Sequence, residues 1–328
     1  MKYLTIAAGL TLATMAQAET PTLTVYTYDS FVSDWGPGPA VEAAFEKTCD
    51  CDLKFVGAGD GAELLSRIRL EGSHTKADVV LGLDTNLTET ARATGLFAPH
   101  AVASPEFNLP VEWQDDTFLP FDWGYFAFVY DKTKVTNPPE SFHDLIASDL
   151  SIVIQDPRSS TPGLGLLLWV KSVYGGKAPE AWAGINRHIV TVTKGWSEAY
   201  GMFLAGEADM VLSYTTSPAY HLIAESDDTK AAAQFKEGHY MQIEVAAKVA
   251  STTQPALADA FLAFTASDAF QEIIPTTNWM YPAVTPKNGL PDGFGTLIQP
   301  DKALIYPGAD VEEARDVALS EWLSVLSN

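Results

Sequence analysis

ADVVLGLD, residues 77–84, decides the fold. Between its two aspartates lie only valine, leucine and glycine, with no polar residue in alternation. A strand with one wet face alternates; a run this continuous is buried on both faces, as strands of a helix-covered parallel sheet are. Helical spacing lies on either side of it, in AELLSRIRLEG (62–72) and in LTETARATG (87–95), which stops at Gly95. Working toward the start, LKFVGAG (53–59) and LTVYTY (23–28) read as strands around the helix AVEAAFEKT (40–48). Toward the end, the aromatic, extended DWGYFAFVYDK (122–132) leads to the helix SFHDLIAS (141–148) and the strand SIVIQD (151–156). A turn then opens into an apolar helix over 156–175, followed by VTVTKG (190–195), SEAYGMFLAGE (197–207) and DMVLSY (209–214). The extended YMQIEVAAKVA (240–250) and the helix PALADAFLAFTAS (255–267) precede a long tail. The pattern predicts two α/β lobes with parallel sheets covered on both faces, joined by extended crossings. Ligands of such sheets sit outside the carboxyl ends of the strands.

The bulk numbers agree with export and with two lobes. Lys2, the short apolar run LTIAAGLTLATM and Ala16-Gln17-Ala18 read as a signal peptide cleaved after Ala18. The run is too short to span a bilayer, which takes about 20 apolar residues. The remaining chain, roughly 310 residues, exceeds what one core usually covers. Forty-two acidic against 20 basic residues give a net charge of −22, which argues against nucleic acid or an anionic membrane as partner and mildly favours a cationic ligand. The only cysteines, Cys49 and Cys51, sit one residue apart, where a local disulfide is plausible and a metal site is not supported by a nearby histidine.

Several stretches could carry chemistry. Gly57-Ala58-Gly59-Asp60-Gly61-Ala62 satisfies a dinucleotide fingerprint literally, but it follows the second strand, and export removes it from the nicotinamide pool. A tight turn that lifts Asp60 to the top of the sheet is the better reading. Gly195-Trp196-Ser197-Glu198-Ala199 has the outline of a nucleophile elbow without its final glycine, so Ser197 reads as a helix cap. The six histidines show no metal-binding spacing. Ser159-Ser160-Thr161-Pro162-Gly163 caps an apolar helix, and the same free amides and hydroxyls could hold phosphate. VLSYTTSPAY (211–220) ends a core strand in hydroxyls and two tyrosines. Aromatics recur at strand ends: Tyr26, Tyr28, Trp35, Trp123, Tyr125, Trp196, Tyr214, Tyr220, Trp279 and Tyr281. Such rings suit a flat cation, and carboxylates such as Asp60 and Asp84 at the same edge would reinforce them.

LTVYTYDSF with DWGPGP, the GDG after the second strand, KADVVLGLD, FDWGYFAFVYDK, QDPRSSTPGLGLLLW, VTVTKGWSEAYG, VLSYTTSPAYH, EGHY and NWMYP together resemble the periplasmic thiamine-binding proteins of bacterial ABC importers. The likeness runs in order over nearly the whole chain after the signal peptide. It implies the type II periplasmic-binding-protein fold, with two α/β lobes closing over a ligand about a hinge. On that reading the first lobe covers 19–122, the second 123–244, and 245–328 returns to the first lobe and a C-terminal tail. The resemblance implies ligand positions at Asp60, Gly61, Ser160, Thr161, Trp196, Tyr214, Thr215, Thr216 and Ser217, with Tyr220 and Trp279 against the ligand rings and Tyr28 and Trp35 matching as well. It implies thiamine, thiamine monophosphate and thiamine diphosphate as ligands and an inner-membrane permease as partner, with no cofactor, metal or catalysis. Asp60 and Trp279 are expected on the first lobe and Ser160, Trp196 and Tyr214 on the second, with no side chain anchoring both. Two other readings share the fold. A ferric-ion binder would use adjacent tyrosines, whereas Tyr214 is followed by Thr215; a thiamine-degrading transferase would need a cysteine in the cleft.

Overall fold

The computed structural model describes residues 20–103 and 105–326, so the signal peptide and its cleavage point lie outside the described residues. The chain opens with β1 (Thr22–Thr27), α1 (Gly38–Phe45), β2 (Asp52–Gly57), α2 (Gly61–Glu71), β3 (Val79–Asp84), α3 (Thr88–Ala93) and β4 (Phe97–Ala98). A long β5 (Phe118–Asp131) carries it into α4 (Phe142–Ala147), β6 (Ile152–Gln155), α5 (Thr161–Tyr174), α6 (Ala178–Ile185), β7 (Ile189–Thr193), α7 (Trp196–Leu204), β8 (Met210–Tyr214), α8 (Pro218–Ala224) and β9 (Lys230–Ala232). It returns along β10 (His239–Val249) to α9 (Pro255–Thr265), α10 (Asp268–Gln271), α11 (Ile274–Thr277), β11 (Tyr281–Pro282), β12 (Ala303–Leu304) and α12 (Gly308–Leu326).

The strand order is β2-β1-β3-β10-β5-β8-β6-β7. At each end the predicted parallel pairing holds, β1 with β2 and β3 in one lobe and β6 with β7 and β8 in the other. The centre departs from it: β10 is antiparallel to β3 and to β5, and β5 is antiparallel to β8. The reason is connectivity. β5 takes the chain out of the first lobe and β10 brings it back, so the two crossings run in opposite directions. β5 pairs with β10 through Tyr125 and with β8 from Phe126 onward, and its first twelve residues are all buried.

Local signals set the helices. α1, α5, α8 and α9 each carry a proline in the first turn, where its missing N–H costs nothing. Ser141 caps α4 by accepting from the Asp144 amide at 2.9 Å. The core of the second lobe gathers Phe128, Phe142, Phe235 and the fully buried Trp169, whose indole donates to the Gly238 carbonyl. The region read in sequence as a tail ends in the 19-residue α12, which buries Val311, Ala318 and Trp322 against α5, α6 and α3. Cys49 and Cys51 are joined by a disulfide just after α1, with Cα atoms 5.3 Å apart. Among the described residues no helix is long and apolar enough to cross a membrane. The carboxyl ends of β1, β2, β6, β7 and β8 all deliver residues to one gap between the lobes: Tyr28, Asp60, Thr161, Trp196 and Tyr214.

Candidate functional site

That gap holds a cavity of about 480 Å³, within the usual range for small-molecule sites. From the first lobe Tyr28, Trp35, Asp60 and Trp279 line it; from the second come Thr161, Trp196, Tyr214, Ser217 and Tyr220. The other sequence-predicted positions sit behind this surface. Gly61 is buried at the start of α2, and Ser160, Thr215 and Thr216 are fully buried. Thr216 points its hydroxyl at the Met280 sulfur, 3.7 Å away.

The aromatic side chains form an arch. Trp35 lies 6.2 Å from Trp196, which stacks on Tyr200 at 5.0 Å; Tyr200 stacks on His221, His221 meets Tyr220 edge-on, and Tyr220 meets Trp279 at 5.4 Å. The arch leaves the first lobe at Trp35, crosses the second and returns to the first at Trp279. The hydroxyl-rich end of β8 and the turn after it fix its middle: the Trp196 indole donates to Ser213 Oγ at 2.8 Å, and Ser213 bonds Ser217 at 2.7 Å. Trp123, Tyr125 and Tyr281, which sequence placed with the cleft rings, instead pack on Met241 and Ile243 in a separate cluster, and Tyr26 belongs to the core.

Ser160 departs from its expected role. It stands at the N-cap of α5 without a side-chain cap bond, and its hydroxyl donates to Asp60 Oδ2 at 2.7 Å. The backbone amide of Trp196, at the start of α7, is near enough to the same carboxylate to favour its ionised form. Asp60 belongs to the first lobe and Ser160 and Trp196 to the second, so one side chain bridges the lobes, contrary to the sequence expectation. The reason is that two helix N-termini converge on it, and N-termini attract anions. Burial pushes the Asp60 carboxyl up to about 6, with Ser160 and the Trp196 amide opposing that rise. Gly61 allows the approach: a Cβ there would lie 2.6 Å from Thr161 Oγ1. At the rim, Lys194 of the second lobe pairs with Glu63 of the first at 2.9 Å. Ser197 is not a cap either, since α7 is preceded by Gly195 and Ser197 lines the cavity.

The floor is a line of carboxylates that sequence did not assemble. Glu244 of β10 is in register with Asp84 of β3 on one side and Asp122 of β5 on the other. Glu244 lines the cavity; Asp84, expected at the cleft edge, is fully buried behind it. Tyr28 donates to Glu244 Oε2 at 3.0 Å, and Asn278 donates to Asp122 Oδ2 and to the Tyr28 hydroxyl. Burial raises Glu244 well above the carboxylate range, with Asp122 adding to it, and burial lifts Asp84 to about 7. Lys and Arg are absent from the described lining. Glu244, Gln242, Asn278 and Tyr200 are therefore site residues that sequence reasoning missed. The one available signal was an isolated acid inside the apolar run YMQIEVAAKVA, since a lone carboxylate in a central strand is rarely idle.

This row has a measurable consequence. The Asp84 carboxyl titrates at about 7 in the native protein against an ordinary value of 3.8, so the folded state binds more protons between those limits. Stability of the ligand-free protein should therefore fall as pH rises from about 4 to about 7, on the order of 4 kcal/mol for this group. Asp84→Asn should flatten the fall in urea unfolding followed across that window; an unchanged pH slope would show that Asp84 does not cause it.

The remaining motifs carry no catalytic arrangement. Gly59 takes the left-handed turn, φ +74°, that presents Asp60, and Asp60 itself occupies the helix end where a pyrophosphate would lie. Both cysteine sulfurs are in the disulfide, away from the cavity lining. His221, Glu225 and Asp227 bring ligand-type atoms within 4.8 Å of one another, but His221 already bonds Glu225 and Tyr200, and Lys230 holds Asp227.

Comparison with known proteins places this geometry. The family described as bacterial extracellular solute-binding protein matches residues 36–272. The thiamine-binding periplasmic protein of Escherichia coli (strain K12) is 56% identical over 320 residues, 97% of either chain. The protein of that name from Brucella suis biovar 1 is 52% identical over 98% of this chain and 96% of its own. A solved periplasmic thiamin binding protein superposes with a TM-score of 0.92 at 55% identity, covering 97% of this chain and all of the other. Iron-bound HitA from Pseudomonas aeruginosa, at 21% identity and a TM-score of 0.76 over 93% of this chain and 99% of its own, shares the fold alone.

Proposed function

The chain belongs to the bacterial extracellular solute-binding proteins, and we propose that it captures thiamine in the periplasm and delivers it to the permease of an ABC importer. One observation carries the reading: a cavity between two lobes whose described lining consists largely of aromatic faces and includes the carboxyl groups of Asp60 and Glu244 but no Lys or Arg. Ring quadrupoles and carboxylates both favour a flat cation, and a thiazolium is one. Tyr220 and Trp279 would hold the rings at one end of the arch and Trp196 at the other. Thiamine monophosphate and diphosphate enter the same reading, with the phosphate directed toward Thr161 at the N-terminus of α5. No cofactor and no chemical step belong to it, in keeping with relatives that are named as binding proteins. Localisation follows the same relatives, with the signal peptide over residues 1–18 as its sequence counterpart.

Titration calorimetry with thiamine should give a single site per chain, and mass spectrometry of the protein under non-denaturing conditions should detect co-purified vitamin. Trp196→Ala should weaken binding about tenfold, near 1.4 kcal/mol. Absence of any binding to thiamine or its phosphates would overturn the reading. Iron is disfavoured by the tyrosine spacing: Tyr214 is followed by Thr215 and not by a second tyrosine. Ferric citrate should accordingly produce no charge-transfer colour.

A further inference from the structure

We infer that Glu244, with Gln242 beside it, is the specificity-determining element of the cavity: it selects ligands that carry a permanent positive charge next to an amino group, and it gives up a proton when such a ligand enters. The inference rests on the thiamine reading and names the residues that discriminate within it.

Glu244 is 6% exposed and lines the cavity, as does the fully buried Gln242 two residues earlier on the same face of β10. Gln242 Nε2 donates to Glu244 Oε1 at 3.3 Å, which leaves Gln242 Oε1 as a buried acceptor with no donor. An acceptor in that state is costly unless a ligand N–H meets it, and an exocyclic amino group supplies one. Glu244 is hemmed in by like charge. Asp84 faces it from β3, Asp122 from β5 and Asp60 from the start of α2, while the phenols of Tyr28 and Tyr214 approach from β1 and β8. Asn278 completes the surround through Tyr28 and Asp122, and Arg315 of α12 acts on Asp84 as a cation. Adjacent buried carboxyls cannot all ionise, so the empty floor keeps protons. A quaternary ring nitrogen brings a charge that no pH change removes; it stabilises ionised Glu244, and a proton leaves for solvent. A neutral ring of the same shape provides no such compensation and leaves the proton in place.

The test compares thiamine with the neutral analogue in which the thiazolium nitrogen is replaced by carbon. Wild-type protein should prefer thiamine by at least about a hundredfold, and Glu244→Gln should cut the preference below about tenfold while the analogue binds within about threefold of wild type. A preference that survives Glu244→Gln overturns the inference. Should that variant fail to fold, wild-type calorimetry near pH 6.5 in two buffers of different ionisation enthalpy decides the matter. Proton release of about 0.5 to 1 per thiamine, with none for the analogue, supports the inference, and equal release overturns it. Wild-type protein that binds thiamine and its neutral analogue alike overturns this inference alone; wild-type protein that binds neither overturns the functional reading with it.

Discussion

Asp60→Ala is expected to lower the affinity for thiamine about a hundredfold, close to 3 kcal/mol, and to leave the ligand-free protein more open than wild type. The carboxylate sits at the start of α2 in the first lobe, while its donor Ser160 Oγ, at 2.7 Å, and the nearby Trp196 amide belong to the second. Because its carboxyl titrates at about 6, it is ionised at neutral pH, and each bond it accepts is charge-assisted, worth about 1.5–3 kcal/mol. Removing it strands the fully buried Ser160 hydroxyl in the closed form. Asp60→Asn keeps an acceptor without the charge and should fall between wild type and alanine. Calorimetry measures the affinity and small-angle X-ray scattering the radius of gyration. Wild-type values of both in Asp60→Ala would show that the bridge contributes nothing to closure.

The bridge changes how closure works. A ligand must favour the closed state over the open one by its differential contacts. Here part of that difference is already supplied by the protein, through Asp60, through the Lys194–Glu63 pair and through the close approach of Gly61 to Thr161. The vitamin then contributes the aromatic and charge terms. Trp35 and Trp279, reaching from the first lobe to rings of the second, make the arch complete only when the lobes are together.

The sequence announced the α/β alternation because each strand and helix carried its own signal: the unbroken apolar run before Asp84, the glycine stop at Gly95, the prolines at helix starts. Strand direction was not legible, since β5 and β10 read alike as extended apolar runs and only the path between lobes makes them antiparallel. The hydroxyl-rich segments were legible as important but not in role. Ser160 satisfies the composition of a cap equally well whether it turns back on its helix or across to Asp60. Glu244 escaped notice because its meaning comes from register: Asp84 and Asp122 are far away in sequence and become its neighbours only when β3, β10 and β5 are side by side. The final helix was under-read for a simpler reason. Its buried face is thin, marked by Val311, Ala318 and Trp322 among many charged residues.

Trp279→Gly is expected to weaken thiamine binding about a hundredfold without lowering the stability of the ligand-free protein. Trp279 has φ +57°, a left-handed conformation that bulky residues rarely adopt, held by its amide bonding the Ile274 carbonyl at 3.0 Å. Such a backbone costs about 1 kcal/mol or more and persists where the surroundings enforce it, often at a site of function. Glycine releases the strain and loses the ring; alanine loses the ring and keeps the strain, because its Cβ still opposes the conformation. Both variants should therefore bind thiamine poorly, the lost ring contact being worth about 2–3 kcal/mol, while glycine is the more stable of the two by about 1 kcal/mol. Urea unfolding separates the variants and calorimetry reports the vitamin. Equal stability of glycine and alanine would mean that no strain is stored at this position, and wild-type affinity in both would remove the indole from the site. Stability and affinity moving in opposite directions at one residue would identify the strained turn as the means by which the first lobe holds its end of the arch toward Tyr220.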